Sequence, residues 1–191
     1  MSAIERIRAE RAIAVLRHVP DPERVVDELV AGGVRIVEIT LDSAGALVTI
    51  ERLRARDELT VLAGTVRTVA DVDRAVAAGA QACVGPVFVP AVVARCVELG
   101  VPAVPGALTP SEVEAAWTAG SALVKLFPGS AVGPEYVRAL RAPLADVPLV
   151  VTGGVTPANA ADFLRAGAVA VGASVRTREE GEALVAAVRA A

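Results

Sequence analysis

The side chain on which a reaction could turn is Lys125, in Ser121-Ala122-Leu123-Val124-Lys125-Leu126-Phe127-Pro128. It is the one lysine of a chain whose 19 lysines and arginines are otherwise all arginine. A guanidinium keeps its proton in proteins, whereas an amine taken out of water releases one and adds to a carbonyl. Ala122, Leu123 and Val124 form an apolar run that disfavours the charged form. A leftover of an arginine-biased composition, or a lysine snorkelling from a strand end, would also account for the count. Glu38, in Val37-Glu38-Ile39-Thr40, is a carboxylate among apolar residues, costly to bury unless paired or protonated. It reads as an acid/base group facing a site or as the partner of a buried arginine. Thr152-Gly153-Gly154 and Gly172-Ala173-Ser174 are turns whose backbone N–H groups suit an anion such as phosphate, or simply tight loops. Arg17 suits a bidentate grip on a carboxylate, or a solvated loop.

These residues need elements to hold them, and the chain supplies a regular series. Apolar runs at 12–16, 34–39, 59–63, 81–84, 102–104, 122–125, 148–151 and 169–172 read as buried strands. Helical segments alternate with them. Asp21-Pro22 opens one that runs to Ala31 and stops at Gly32-Gly33, and Ser43 is expected to cap another reaching Arg56. Others are expected over 69–78 and over 90–99, the latter stopped by Gly100. Thr109-Pro110-Ser111-Glu112 opens the next, Pro134 starts a further one, Thr156-Pro157 opens one ending before Gly167, and the last covers 179–190. Eight strand–helix units with continuously apolar strands predict an α/β fold: one domain over residues 1–191, a (β/α)8 TIM barrel with short loops. An open doubly wound sheet is disfavoured, because the first strand–helix turn lacks Gly-x-Gly-x-x-Gly. In a barrel the active site lies at the C-terminal ends of the strands. Those positions hold Arg17, Glu38 and Thr40, Gly64-Thr65, Gly85-Pro86, Pro105-Gly106, Lys125, Thr152-Gly153-Gly154 and Gly172-Ala173-Ser174.

Composition removes other classes. The 191 residues are 54% hydrophobic but only 3% aromatic, so Ala, Val and Leu fill the core, and the net charge of −3 gives no footprint for nucleic acid. A single histidine, His18, excludes a multi-histidine metal site within one chain, and it reads as a loop residue. Cys83 and Cys96 make no disulfide framework and read as small core side chains, which fits a reducing cytoplasm. Residues 1–11 are charged and do not read as a signal peptide, and no apolar run approaches the roughly 18 residues of a membrane span. Trp117 reads as a packing residue and Arg52, Arg54 and Arg56 as a solvated face.

With these pieces in order, the chain resembles the class I 2-keto-3-deoxy-6-phosphogluconate aldolases, a family that includes 4-hydroxy-2-oxoglutarate aldolase and phosphogalactonate-cleaving relatives. The likeness runs from Ala12 to Ser174. It rests on Ala14-Val15-Leu16-Arg17, Gly32 to Thr40, Ala63-Gly64-Thr65-Val66, Pro105-Gly106 with Thr109 to Glu112, Val124 to Pro128, and Thr152 to Pro157. The resemblance implies a Schiff base on Lys125, Glu38 as general acid/base, and Thr65 near a pyruvyl carboxylate. It also implies a phosphate pocket at Gly153, Gly154 and Ser174, with Pro86, Phe127, Thr152 and Gly172 around the substrate. It implies no cofactor beyond the covalent intermediate, no metal, and a cytoplasmic homotrimer acting on a small 2-keto-3-deoxy sugar-acid phosphate and pyruvate, with no nucleic acid or membrane partner. Two stretches depart from the pattern. Leu41-Asp42-Ser43 stands where gluconate-type members often carry Leu-Arg-Thr, so Arg17 becomes the carboxylate candidate. Gly85-Pro86-Val87 lacks the hydroxyl of the usual Ser-Pro-Gly or Thr-Pro. Thr152 is of the gluconate type, whereas Phe127 to Ala131 and Gly133-Pro134 look galactonate-like; the substrate expectation is gluconate. The alternatives are galactonate cleavage, a non-covalent phosphate-binding barrel enzyme, or a sugar-phosphate-binding protein.

Overall fold

The computed structural model describes residues 1–191. Nine parallel strands lie in the order β5-β4-β3-β2-β1-β9-β8-β7-β6: β1 (Ala12–Leu16), β2 (Ile36–Thr40), β3 (Thr60–Gly64), β4 (Cys83–Val84), β5 (Ala103–Val104), β6 (Gly106–Ala107), β7 (Val124–Leu126), β8 (Leu149–Thr152) and β9 (Ala170–Ala173). The two edge strands, β5 and β6, follow one another in the chain, so the sheet curls into a nearly closed barrel. β5 stands within the expected fifth strand, 102–104, and β6 is an added strand just past it. Pro105 has no N–H to give the ladder and splits the run. The seam is still bonded: the Ala103 carbonyl accepts from Ala122 N–H at 2.9 Å, and the Pro105 carbonyl from Lys125 N–H at 2.9 Å. The TIM-barrel expectation holds, with nine strands in place of eight.

Nine helices surround the sheet: α1 (Ala3–Glu10), α2 (Pro22–Ala31), α3 (Ala46–Leu53), α4 (Val69–Ala77), α5 (Pro90–Glu98), α6 (Pro110–Thr118), α7 (Gly133–Arg141), α8 (Ala160–Arg165) and α9 (Arg178–Arg189). Their starts are written locally. Capping boxes close α1 (Ser2, Glu5), α4 (Thr68, Asp71), α6 (Thr109, Glu112) and α9 (Thr177, Glu180). Two expected starts are corrected. Ser43 does not cap α3, whose cap residue is Gly45; its hydroxyl instead accepts from His18 N–H at 2.9 Å and pairs with the Thr40 hydroxyl at 3.0 Å. Thr156-Pro157 forms a turn, tied by Thr156 N–H to Asn159 Oδ1 at 2.8 Å, and α8 begins only at Ala160. Helix α1 is an addition, since its charged sequence was expected only to be no signal peptide. No helix is long and apolar enough to cross a membrane.

Strand alternation sorts the core into two layers. Outward residues such as Val37, Ile39, Val61, Val124, Val151 and Val171 pack under the helices. Inward residues Ile13, Ile36, Leu62, Val84, Val104, Leu123, Val150 and Ala170 fill the barrel, and Ile7 of α1 joins them from below. Cys83 and Cys96 are buried and unbridged, as expected. Trp117 packs on the core with its indole N–H donating to Asp146 at 3.2 Å.

Candidate active site

Moving two residues along a strand returns to the same face. Beyond the apolar floor the inward positions are therefore Val15, Glu38, Gly64, Gly106, Lys125, Thr152 and Gly172. The polar ones are buried: Glu38 is 1% exposed, Lys125 6% and Thr152 3%. Lys125 Nζ lies 3.7 Å from Glu38 Oε1 and 5.3 Å from the centroid of the Phe127 ring. Gly64 makes room for this pair, because a Cβ there would stand 2.3 Å from Glu38 Oε1. The side chains of Lys125 and Glu38 thus neutralise each other in a place where either alone would be costly.

Above them opens a cavity of about 340 Å³, lined by Val15, Arg17, Glu38, Lys125, Phe127, Thr152, Gly153, Gly154, Val155, Thr156, Gly172 and Ser174. Nine of the eleven expected site residues stand here. Thr65 reaches it at one remove, its hydroxyl accepting from Arg17 Nη2 at 2.9 Å. Thr65 has φ 59°, and His18, which follows Arg17 in the chain, has φ 50°. A β-branched residue in that region carries strain of about 1–3 kcal/mol, held by its surroundings. Pro86 stands outside this cavity. After Val84 the strand ends, and the Pro86 backbone lies against Gly106, where a Cβ would meet its carbonyl at 2.3 Å. Pro86 lines a second cleft instead, with Val87, Phe88 and Leu108, and Phe127 is the wall between the two cavities. Val15, Val155 and Thr156 were not singled out as site residues. The period-two rule applied from Ile13 finds Val15, and the glycine turn's own continuation finds the others.

The two ends of the cavity differ in chemistry. At one, Gly153 and Gly154 have φ 81° and 79°, a conformation that favours glycine. Their carbonyls are used by Ser130 N–H at 2.8 Å and Asn159 Nδ2 at 3.1 Å. The N–H groups of Gly153, Gly154 and Val155 donate to no group of the chain, and successive free N–H groups make an anion site. At the other end stands Arg17, with Nε 3.4 Å from Asp42 Oδ2. Partial burial pushes the Asp42 carboxyl up, but hydrogen bonding from the Thr40 hydroxyl and the charges of Arg17 and His18 outweigh it and leave the group below its ordinary range. Between the ends, Thr152 Oγ1 is the one buried side-chain polar atom with no hydrogen-bond partner. No group of three or more His, Cys, Asp or Glu side chains is placed to hold a metal.

A parallel barrel with a buried lysine–carboxylate pair at the C-terminal ends of its strands has the layout of a barrel enzyme working through an amine. The family model for KDPG and KHG aldolase matches residues 3–183. The 2-dehydro-3-deoxy-phosphogluconate aldolase of Treponema pallidum is 37% identical over 164 residues, covering 85% of this chain and 78% of that one. The 2-dehydro-3-deoxy-6-phosphogalactonate aldolase of Escherichia coli is 35% identical over 165 residues, covering 84% and 80%. A solved structure described as native KDPGal superposes with a TM-score of 0.88 at 32% identity, covering 94% of both chains. The chain belongs to the KDPG and KHG aldolase family, and so to the aldehyde-lyases.

Proposed function

We propose that the chain is a Schiff-base aldolase that cleaves 2-dehydro-3-deoxy-6-phosphogluconate to pyruvate and glyceraldehyde 3-phosphate, with no cofactor beyond the covalent imine. The observation that carries this reading is the single lysine of the chain, buried 3.7 Å from a buried glutamate. Neutral Lys125 adds to the C2 ketone. Water leaves as Glu38 supplies a proton, directly or through one water, and an iminium forms. Glu38 then takes the C4 hydroxyl proton, the C3–C4 bond breaks, and its electron pair moves toward the iminium nitrogen to give an enamine. Glyceraldehyde 3-phosphate departs. Protonation at C3 and hydrolysis release pyruvate and restore the amine.

Arg17 and Thr65 orient the pyruvyl carboxylate. The free N–H groups of the glycine turn and Ser174 hold the phosphate, far from the bond that breaks, which supplies orientation. The gluconate epimer is favoured by Thr152, which is of the gluconate type ahead of the double glycine; its unpartnered buried hydroxyl would gain from pairing with a substrate hydroxyl. 4-Hydroxy-2-oxoglutarate, cleaved to pyruvate and glyoxylate, fits the same lysine chemistry. Cleavage of the galactonate epimer is the second reading, supported by Phe127-Pro128-Gly129-Ser130-Ala131 and by the galactonate relative at 35% identity. The working particle in this reading is a cytoplasmic homotrimer. The test is kcat/KM for the two C4 epimers side by side. A preference for the gluconate form is expected; a preference for the galactonate form selects the second reading, and turnover of neither overturns both.

A further inference from the structure

Arg17 is the one guanidinium lining the cavity, and its geometry is fixed by a residue outside it. A guanidinium offers two edges for bidentate binding of a carboxylate, Nε with Nη2 and Nη1 with Nη2. Asp42 Oδ2 forms an ion pair with the first from the Nε side, 3.4 Å away, and Nη2 spends one of its two hydrogens on Thr65 Oγ1 at 2.9 Å. Nη1 and the second hydrogen of Nη2 remain. His18 Nε2 lies 3.8 Å from the same Asp42 oxygen. Without Asp42 the arginine arm, 47% exposed, has one hydrogen bond to hold it. We propose that Asp42 is a positioning residue for the carboxylate end of the site: by holding Nε it turns the Nη1–Nη2 edge of Arg17 toward the carboxylate of a 2-oxo acid. This assigns a role to the residue that departs from the family pattern, and it rests on the aldolase reading above. An ion pair this exposed adds little to folding stability, so its effect falls on substrate affinity.

The test uses the full chain and pyruvate alone. Exchange of the pyruvate methyl hydrogens in D2O, followed by NMR, reports imine and enamine formation at Lys125 without any aldehyde. Asp42→Ala is expected to raise KM for pyruvate about ten-fold, with kcat within about two-fold and an unchanged melting temperature. Asp42→Asn removes the charge that pairs with Nε and is expected to stay impaired, whereas Asp42→Glu keeps a carboxylate and is expected to recover part of the loss. An unchanged or lowered KM in Asp42→Ala, a fall in kcat alone, or an Asn variant that binds pyruvate as well as wild type overturns the assignment while the aldolase reading stands. A wild-type protein that exchanges nothing overturns the aldolase reading and this proposal with it.

Discussion

The floor and the mouth of the barrel are built from the same strands, one inward position apart, and they have opposite character. At the floor, Ile13, Ile36, Leu62, Leu123 and Val150 pack with Ile7 into a dry apolar plug. One step up, Val15, Glu38, Gly64, Lys125 and Thr152 surround the cavity, with one ion pair and one unpartnered hydroxyl. The floor satisfies every rule of packing. The mouth breaks two of them, burying charge and leaving a polar atom unpaired, at a place where a substrate would supply the missing partners. The plug supplies the rigidity that such a layer needs.

Substitutions in the two layers should therefore separate activity from stability. The largest effect is expected from Lys125→Arg, which keeps the charge and removes the nucleophile: turnover falls by about 10⁴-fold or more in a pyruvate-release assay. Glu38→Gln comes next, with a loss of about 10²–10⁴-fold in kcat, since the proton shuttle is gone while the lysine stays. A Glu38→Gln enzyme within a few-fold of wild type would remove Glu38 from the mechanism. At the floor, Leu123→Ala, fully buried in the wild type, should cost about 2–5 kcal/mol in urea unfolding and leave kcat per folded molecule nearly intact.

Smaller effects sharpen the contrast. Thr152→Val replaces the unpartnered hydroxyl by a methyl of similar volume, so it should stabilise the fold by about 1 kcal/mol in thermal melts while lowering the preference between C4 epimers. Destabilisation together with an unchanged preference would remove Thr152 from substrate contact. Thr109→Ala, in the frame outside both layers, should cost about 1 kcal/mol through the lost cap of α6 and leave kcat/KM unchanged.

Much of this was legible in the sequence where a rule acts locally. β1 over residues 12–16 and α2 over 22–31 were read as they stand, because an apolar run and an Asp-Pro start with a Gly-Gly stop each suffice. The placement of Lys125 and Glu38 was legible, since residue type and strand position together put both at the mouth. What escaped depends on contacts between distant segments. Ser43 has the composition of a cap, but the His18 N–H and the Thr40 hydroxyl claim its side chain. Pro86 has the right strand position for the cavity, but the strand ends at Val84 and the turn leans on Gly106. Helix α1 carries a readable Ser2–Glu5 capping box that a charged composition obscured. The Arg17–Asp42–Thr65 arrangement joins the ends of three strands and has no signature in any one of them.

The central claim is that Lys125 forms an imine with a 2-oxo acid. Its most direct test is intact mass after incubation with pyruvate and sodium borohydride, with Lys125→Ala alongside. The account predicts a pyruvate-sized adduct on the wild type and none on the variant. An unmodified wild type, or an adduct of equal yield on Lys125→Ala, would contradict it.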